Sequence, residues 1–237
     1  MPAPFNLKQA FPLTIITGHY GVGKTNLALN LAVSWAKPDL SLSLIDLDIV
    51  NPYFRSSDSA AWLATQGVTL LGPSLAGSTL DTPALAPGID ETIRQASIRN
   101  PVLIDVGGDP DGARALARYT ASIIRNEYHL VYLANFNRPE VATAAQALIL
   151  LQAIEAQSHL RATAIIGNSH LKDESTVEQI ISTVPELLEL SRISGLPIAA
   201  ITAPEGLAAA IGQALAAGPG AELAVLPLSI YVKTPWE

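Results

Sequence analysis

Two glycines, a lysine and a threonine near the start of the chain have the types and spacing that would hold a phosphate group. Gly18, Gly23, Lys24 and Thr25 fit the pattern G-x-x-x-x-G-K-[ST]. The glycines let backbone N–H groups close around phosphate oxygens, the lysine reaches the β- and γ-phosphates, and the threonine hydroxyl ligates Mg²⁺. The pattern therefore predicts a nucleotide site whose contact residues are Gly18, His19, Tyr20, Gly21, Val22, Gly23, Lys24, Thr25 and Asn26.

Carboxylates that follow apolar runs are the candidate metal ligands. Asp105 ends the run 102–104, and Asp48 lies just after the alternating run 41–47. In a parallel sheet such positions lie at the edge where ligands bind, so we predict that Thr25, Asp48 and Asp105 ligate Mg²⁺. Asp48 is also the predicted catalytic residue that orients water. Asp46 is a candidate carboxylate that supports Asp48 without contacting the metal or the water itself. For Asp46 and Asp48 the alternative is that the carboxylate only caps the next element.

Two further strand ends contribute candidates for contacting the nucleotide. Gly107 and Gly108 follow the second run, and either could present a backbone N–H to the γ-phosphate because neither carries a side chain. Asn168 follows the run 161–167, where its amide would read the edge of a base. Asn is also a favoured turn residue, so the alternative for Asn168 is a turn without ligand contact.

These candidates require strands that end at one edge of a sheet, and the sequence predicts such strands. Apolar runs alternate with helical patterns, which indicates an α/β fold with a three-layer, doubly wound, mostly parallel sheet. Strands are expected over 13–16, 41–47, 68–71, 101–105, 129–134, 161–167 and 196–202, with an edge strand within 226–232. Helices are expected after the glycine loop and over 89–98, 113–126, 137–157, 174–193 and 205–217, and irregular loops over 49–58 and 72–88.

Composition narrows the class of protein. The 237 residues, 49% of them hydrophobic, predict a single domain over 1–237, with a core at about 13–202 and a C-terminal extension at about 203–237. The net charge of −7 argues against nucleic-acid binding, and the lack of cysteine excludes disulfides and thiolate metal sites. Apolar stretches shorter than the ~18 residues of a spanning helix, and the lack of a secretory signal pattern, predict a cytoplasmic protein without membrane insertion.

Taken together, the three sites resemble the MinD/ParA/CobQ-like group of SIMIBI-class P-loop ATPases. Residues 18–32 are similar to the group's G-K-G-G-V-G-K-T-[ST]-x-x-x-N-L-A pattern. Asp46-Leu47-Asp48 resembles its switch I and Asp105-Val106-Gly107-Gly108 its switch II. The resemblance covers about residues 13–202. It implies binding of ATP and ADP with Mg²⁺, a P-loop NTPase fold and a nucleotide-dependent homodimer.

One position departs from the group's pattern. The signature lysine, which in many members contacts the nucleotide of the dimer partner, falls at His19, and the next glycine falls at Tyr20. A histidine beside a triphosphate tends to be protonated, so one hypothesis is that His19 supplies part of the missing charge. The alternative is that His19 and Tyr20 pack the loop or contact a different partner.

The favoured function is an ATPase that acts as a nucleotide-gated switch for a protein partner. In this hypothesis Lys24 and Mg²⁺ stabilise the charge of the transition state, and Asp48 orients the attacking water. An alternative is an ATP-dependent small-molecule kinase or ligase of the dethiobiotin synthetase or CobQ-like type, with loop 72–88 lining a second pocket. A third is an adaptor that binds ATP without useful turnover.

Overall fold

The sheet is the central feature of the structure. The structure, a computed structural model, describes residues 5–48, 57–72, 88–108, 110–169 and 175–232. Within these ranges, eight parallel strands form one sheet in the order β3-β2-β4-β1-β5-β6-β7-β8. The strands are β1 (Leu13–Gly18), β2 (Leu42–Asp46), β3 (Val68–Leu71), β4 (Val102–Asp105), β5 (Tyr128–Ala134), β6 (Ala164–Gly167), β7 (Ile198–Pro204) and β8 (Val225–Leu228).

Helices cover both faces of this sheet. Consecutive strand residues point to opposite faces, and each face packs into its own apolar cluster. Ile15 of β1 belongs to one apolar cluster and Ile16 to the other. Leu27 of the first helix packs in the cluster with Ile16, whereas Leu151 of the sixth packs with Ile15. The described helices are α1 (Lys24–Trp35), α2 (Ser57–Thr65), α3 (Ile89–Arg94), α4 (Pro110–Ala117), α5 (Thr120–Ile123), α6 (Ala144–Ser158), α7 (Val177–Ser182), α8 (Val184–Ser194) and α9 (Ala208–Ala216). The predicted three-layer α/β fold is confirmed.

All the predicted strands are present, but several predicted helices are wrong in extent. The helix expected over 113–126 is two helices, α4 and α5, separated at Arg118 and Tyr119. The helix expected over 174–193 is interrupted at Thr183, where Pro185 lies in the first turn of α8. Helix α3 ends at Arg94 and not at Ile98. Helix α2 begins at Ser57, inside the segment expected to be irregular, and residues 49–56 and 73–87 lie outside the described residues.

The predicted start of α6 is also wrong. Glu140 lies three residues after Asn137, the spacing of a capping box, but Asn137 Nδ2 donates to the Ser169 carbonyl oxygen at 2.6 Å. The capping box is formed instead by Thr143 and Gln146, whose side chains each accept a hydrogen bond from the other residue's backbone N–H. Before it lies a 3₁₀ turn over Pro139–Val141. The long-range contact of Asn137 therefore takes precedence over the local pattern.

The sheet order brings the candidate site residues together. β1 lies between β4 and β5, and the register pairs Ile16 of β1 with Asp105 of β4. Asp46 of β2 pairs in turn with Asp105. The carboxyl ends of these strands therefore meet at one edge, next to the loop that joins β1 to α1. Among the described residues no helix is both long enough and apolar enough to cross a membrane.

Residues 5–11 pack against the edge of the sheet opposite to the candidate site residues. The rings of Phe5 and Phe11 lie 5.0 and 4.3 Å from the ring of His129, which is 1% exposed. His129 Nδ1 lies 3.0 Å from Thr163 Oγ1, while Nε2 has no hydrogen-bond partner. Burial lowers the pKa of His129 below its usual 6.5, although the charge of Glu127 opposes this.

This buried histidine predicts a loss of stability in mild acid. Because the folded pKa is below 6.5, the unfolded chain binds more protons as the pH falls through 6.5, and the free energy of unfolding decreases. In His129→Phe, which keeps an aromatic ring beside Phe5 and Phe11, we expect that loss to disappear. Urea unfolding between pH 8 and pH 5 measures the free energy of unfolding of both proteins. The contributions of all other titrating groups cancel in the difference between them. If the free energies of unfolding of the two proteins changed in parallel with pH, the lowered pKa of His129 would be contradicted.

Candidate functional site

The loop over residues 18–25, here called the phosphate loop, joins β1 to α1. Gly23 has φ of 91° immediately before α1 begins at Lys24, a backbone conformation that favours glycine. Lys24 is 6% exposed, and its Nζ donates to the carbonyl oxygen of His19 at 2.9 Å. The lysine side chain therefore turns back across the loop. Its ammonium group is enclosed by the phosphate loop.

Thr25 and Asp105 connect the phosphate loop to β4. The Thr25 hydroxyl donates to Asp105 Oδ2 at 2.6 Å, and Asp105 is 2% exposed. Burial raises the pKa of Asp105 to about 6. The hydrogen bond from Thr25 and the charge of Lys24 lower this pKa, and the charge of Asp48 raises it. Asp105 is thus a carboxylate that ionises near neutral pH inside the protein.

The second oxygen of this carboxylate fits a bound cation. Asp105 Oδ1 is buried and has no hydrogen-bond partner, and a buried carboxylate oxygen without a partner is costly. Together with the Thr25 hydroxyl it supplies the hard oxygen atoms that Mg²⁺ prefers. In the part of the chain that the structure describes, no group of three or more His, Asp or Glu side chains forms a metal site. A Mg²⁺ ion here would take its other ligands from phosphate and water.

At the end of β2, Asp46 and Asp48 have different surroundings. Asp46 is 3% exposed, and its Oδ1 accepts a hydrogen bond from the backbone N–H of Asp48 at 2.8 Å. This contact lies within the turn after β2, so both interpretations of Asp46 stay predictions. Asp48 is half-buried and faces the loop after β4, since a Cβ built on Gly107 would lie 3.4 Å from Asp48 Oδ1. The catalytic and metal-binding roles of Asp48 stay predictions.

The loop after β4 touches the phosphate loop through its glycines. A Cβ on Gly108 would lie 2.5 Å from the backbone N and Cα of Tyr20 and 2.8 Å from Lys24 Nζ, so only glycine fits there. One residue that the sequence analysis left unassigned belongs here as well. A Cβ on Gly112 would lie 2.2 Å from the Gly107 carbonyl oxygen. Glycine at that position lets α4 lie directly on the loop.

Asn168 holds the phosphate loop from the side of β6. The residue is 2% exposed, and its Nδ2 donates to the Val22 carbonyl oxygen at 2.5 Å. Its Oδ1 accepts a short hydrogen bond from Thr202 Oγ1. A Cβ on Gly23 would lie 2.5 Å from the same Nδ2. The amide thus has protein partners at both ends, and a contact of Asn168 with a base stays a prediction.

Asn26 binds the C-terminal segment, defined here as residues 229–232. Its Nδ2 donates to the Ser229 carbonyl oxygen at 3.0 Å, and its Oδ1 accepts from the Tyr231 backbone N–H at 2.9 Å. Asn30 exchanges two hydrogen bonds with the backbone of Ser229, at 2.8 and 2.9 Å. The ring of Tyr231 lies 5.0 Å from that of Trp62 in α2. Sequence reasoning missed Asn30, although two asparagines four residues apart on an apolar helix were a usable signal.

The remaining loop residues face outward. Tyr20 is 52% exposed, and His19 Nδ1 lies 2.9 Å from the Tyr20 carbonyl oxygen, which can only accept. A hydrogen bond between the two atoms requires Nδ1 to be the donor. Arg138, which sequence reasoning did not single out, donates from Nη2 to the Gly21 carbonyl oxygen at 2.8 Å. Its only sequence signal is its place four residues after β5.

This arrangement of sheet and loop is found in known proteins. The signal recognition particle receptor FtsY from Elizabethkingia anophelis, solved in complex with GDP, is similar with a TM-score of 0.50 and 13% sequence identity over 85% of this chain. This chain has a P-loop NTPase-like fold. The match covers 58% of the receptor, so the chain spans less than two thirds of its length.

Other comparisons give lower similarity or none. FtsY from Thermotoga maritima matches with a TM-score of 0.49 and 17% identity, over 85% of this chain and 66% of that one. A nucleotide-binding protein from Archaeoglobus fulgidus, in complex with ADP, matches with a TM-score of 0.43 and 16% identity, over 82% of both chains. No protein-family model and no curated protein sequence matches the chain. Membership of the MinD/ParA/CobQ-like group remains a prediction from the sequence.

The buried amide of Asn168 predicts a measurable contribution to stability. In Asn168→Ala the Val22 carbonyl oxygen loses its donor in a buried position, so we expect a loss of about 1–3 kcal/mol in the free energy of unfolding. Urea unfolding measures it. Asn100→Ala, at an exposed asparagine, is the control and should change stability by less than about 0.5 kcal/mol. Equal stability of Asn168→Ala and wild type would show that the hydrogen bonds of the Asn168 side chain contribute nothing to stability.

Proposed function

We propose that the protein binds ATP with Mg²⁺, hydrolyses it, and acts as a nucleotide-gated switch for a protein partner. The observation that carries this proposal is the meeting of Lys24, Thr25 and Asp105 beneath the phosphate loop, with one carboxylate oxygen unpartnered. An ammonium group, a hydroxyl and a buried carboxylate are the groups that bind a metal-bound polyphosphate. The P-loop NTPase-like fold supports the same conclusion.

Each group has a distinct role in the proposed hydrolysis. The Lys24 ammonium contacts the β- and γ-phosphates and stabilises the charge that develops on them. Thr25 and Asp105 would hold Mg²⁺, which would neutralise phosphate charge. Asp105 with a pKa of about 6 is mostly ionised at pH 7, and a nearby cation favours its charged form further. Asp48 joins this group as a metal ligand and orients the attacking water.

Two contacts favour a switch over a static binding site. Gly108 touches Tyr20 and Lys24, and Asp48 faces Gly107. A change in the number of bound phosphates would therefore act directly on the loop after β4 and on the end of β2. Helix α4 begins just beyond the first of these positions, at Pro110. Rearrangement of such loops with nucleotide state is how nucleotide switches signal to partners.

The base and the subunit state need separate tests. The resemblance to the MinD/ParA/CobQ-like group favours ATP, with contacts from residues 18–26, Gly107, Gly108 and Asn168, and a cytoplasmic location. The similar receptor from Elizabethkingia anophelis holds GDP, so adenine and guanine nucleotides must be compared. The resemblance also favours a nucleotide-dependent homodimer, in which His19 takes the place of the signature lysine.

Removing the lysine is the direct test of nucleotide binding. We expect Lys24→Ala to abolish measurable binding of ATP or GTP analogues in titration calorimetry, because the phosphates lose their central cation. Lys37→Ala, at an exposed lysine on the chain after α1, carries the same charge change and should bind like wild type. Binding by Lys24→Ala as tight as by wild type would refute the phosphate site.

The molar mass in solution tests the gated homodimer. Light scattering with Mg·ADP should give the 24.9 kDa of one chain. With a non-hydrolysable ATP analogue we expect about twice that mass, since the resemblance implies that the triphosphate joins two copies. An unchanged mass in both states would rule out the gated dimer and favour either a monomeric switch or the small-molecule kinase.

A further inference from the structure

Arg138 lies on the side of the phosphate loop opposite β4. The chain leaves β5 at Ala134 and turns tightly, with Asn135 Oδ1 accepting from the Asn137 backbone N–H at 3.0 Å. The backbone N–H of Arg138 donates to the Asn135 carbonyl oxygen at 3.2 Å. Asn137 Nδ2 donates to the Ser169 carbonyl oxygen at 2.6 Å. These bonds fix the base of the arginine side chain, so that it is directed at the phosphate loop.

The guanidinium group makes one hydrogen bond within the protein. Nη2 donates to the Gly21 carbonyl oxygen at 2.8 Å, while the buried Nε has no partner. In the described part of the chain, Arg138 makes no ion pair. A guanidinium carries five N–H donors, and leaving a buried one unpaired is costly. A neutral donor could satisfy the Gly21 oxygen without that cost, so what the arginine adds here is its positive charge.

The bond to Gly21 acts on the next backbone N–H. Gly21 has φ of 69°, a conformation that glycine leaves easily, so this part of the loop needs support from outside. In a trans peptide the C=O of Gly21 and the N–H of Val22 point in opposite directions. Because the carbonyl is directed at Arg138, the Val22 N–H is directed away from the guanidinium group. A charged donor on the carbonyl also polarises that peptide and makes its N–H a stronger donor.

The charge of Arg138 complements that of Lys24. The Lys24 ammonium lies close enough to Asp105 to lower the pKa of that carboxyl group. The negative charge of Asp105 therefore offsets part of the positive potential of Lys24. No such carboxylate pairs with Arg138 among the described residues. Its field therefore adds to the positive potential of the loop from the β5 side.

The geometry points to Arg138 as a positioning residue of the nucleotide site, one that orients the Gly21–Val22 peptide and adds positive charge behind the phosphates. This inference rests on the proposed function, since it requires a polyphosphate ligand. It assigns Arg138 no direct contact with the nucleotide. Its effect should therefore grow with the number of phosphates and depend on charge.

A series of substitutions separates charge from hydrogen bonding. Arg138→Lys keeps the charge, Arg138→Gln keeps a donor without charge, and Arg138→Met removes both. Calorimetry with the nucleoside, the diphosphate and a non-hydrolysable triphosphate gives the affinities, for whichever base wild type prefers. We expect Arg138→Gln to bind the triphosphate about 5- to 10-fold more weakly, the effect of one partly screened charge several ångströms away. Arg138→Met should lose more, and Arg138→Lys should stay within about threefold of wild type.

Salt dependence and two controls make the result specific. The triphosphate affinity of Arg138→Gln should fall less steeply with salt than that of wild type, because one charge is missing. Arg99→Gln, an exposed arginine before β4, makes the same charge change at the opposite end of the sheet and should bind like wild type. Melting temperatures without nucleotide check that each variant folds.

The outcomes distinguish this inference from the proposed function. Wild-type affinity in Arg138→Gln, or equal weakness of Arg138→Lys and Arg138→Gln with unchanged salt dependence, would overturn the inference while leaving nucleotide binding intact. If wild type bound no nucleotide, or if Lys24→Ala bound as tightly as wild type, the proposed function would fail and the inference with it.

Discussion

The hydrogen bond from the Thr25 hydroxyl to Asp105 is the contact on which the site depends. It joins the first turn of α1 to the end of β4, and the parallel register of β1 and β4 makes the two residues meet. Asp105 is buried, so its charged form is stabilised only by what surrounds it, namely this hydroxyl and the Lys24 ammonium. A cation at the unpartnered oxygen would complete that stabilisation. The protein thus has, at the carboxyl end of the inner strand β4, a buried carboxylate with one oxygen that lacks a hydrogen-bond partner.

Around this contact, the phosphate loop is held through its carbonyl groups. Lys24 binds the carbonyl of His19, Arg138 that of Gly21, and Asn168 that of Val22. Each bond fixes one peptide plane, and a fixed carbonyl also fixes the direction of the following N–H. A loop rich in glycine has little conformational preference of its own. Its shape is therefore imposed by side chains that follow β5 and β6 and by one in the first turn of α1.

The sequence predicted the strands and the phosphate loop because both depend on neighbouring residues. Spacing alone made Lys24 and Thr25 the candidates, and apolar runs predicted the strands that the structure contains. The contacts that it did not predict join distant parts of the chain: Arg138 and Gly21 are 117 residues apart, and Asn30 and Ser229 are 199 apart. Local capping patterns failed where such a contact intervened, as when Asn137 bonded to Ser169 and left the capping of α6 to Thr143.

The contacts of Asn26 connect the end of the described chain to α1 just beyond the phosphate loop. Asn26 follows the predicted metal ligand Thr25 and binds the backbone of Tyr231, whose ring packs on Trp62 of α2. Helix α2 is also the first described element after Asp48 on the chain. Asp48 and α2 are therefore each connected to α1 or the phosphate loop, Asp48 through the glycines of the loop after β4 and α2 through the C-terminal segment. Through these contacts, α1, the C-terminal segment and α2 pack as one continuous layer beside the phosphate loop.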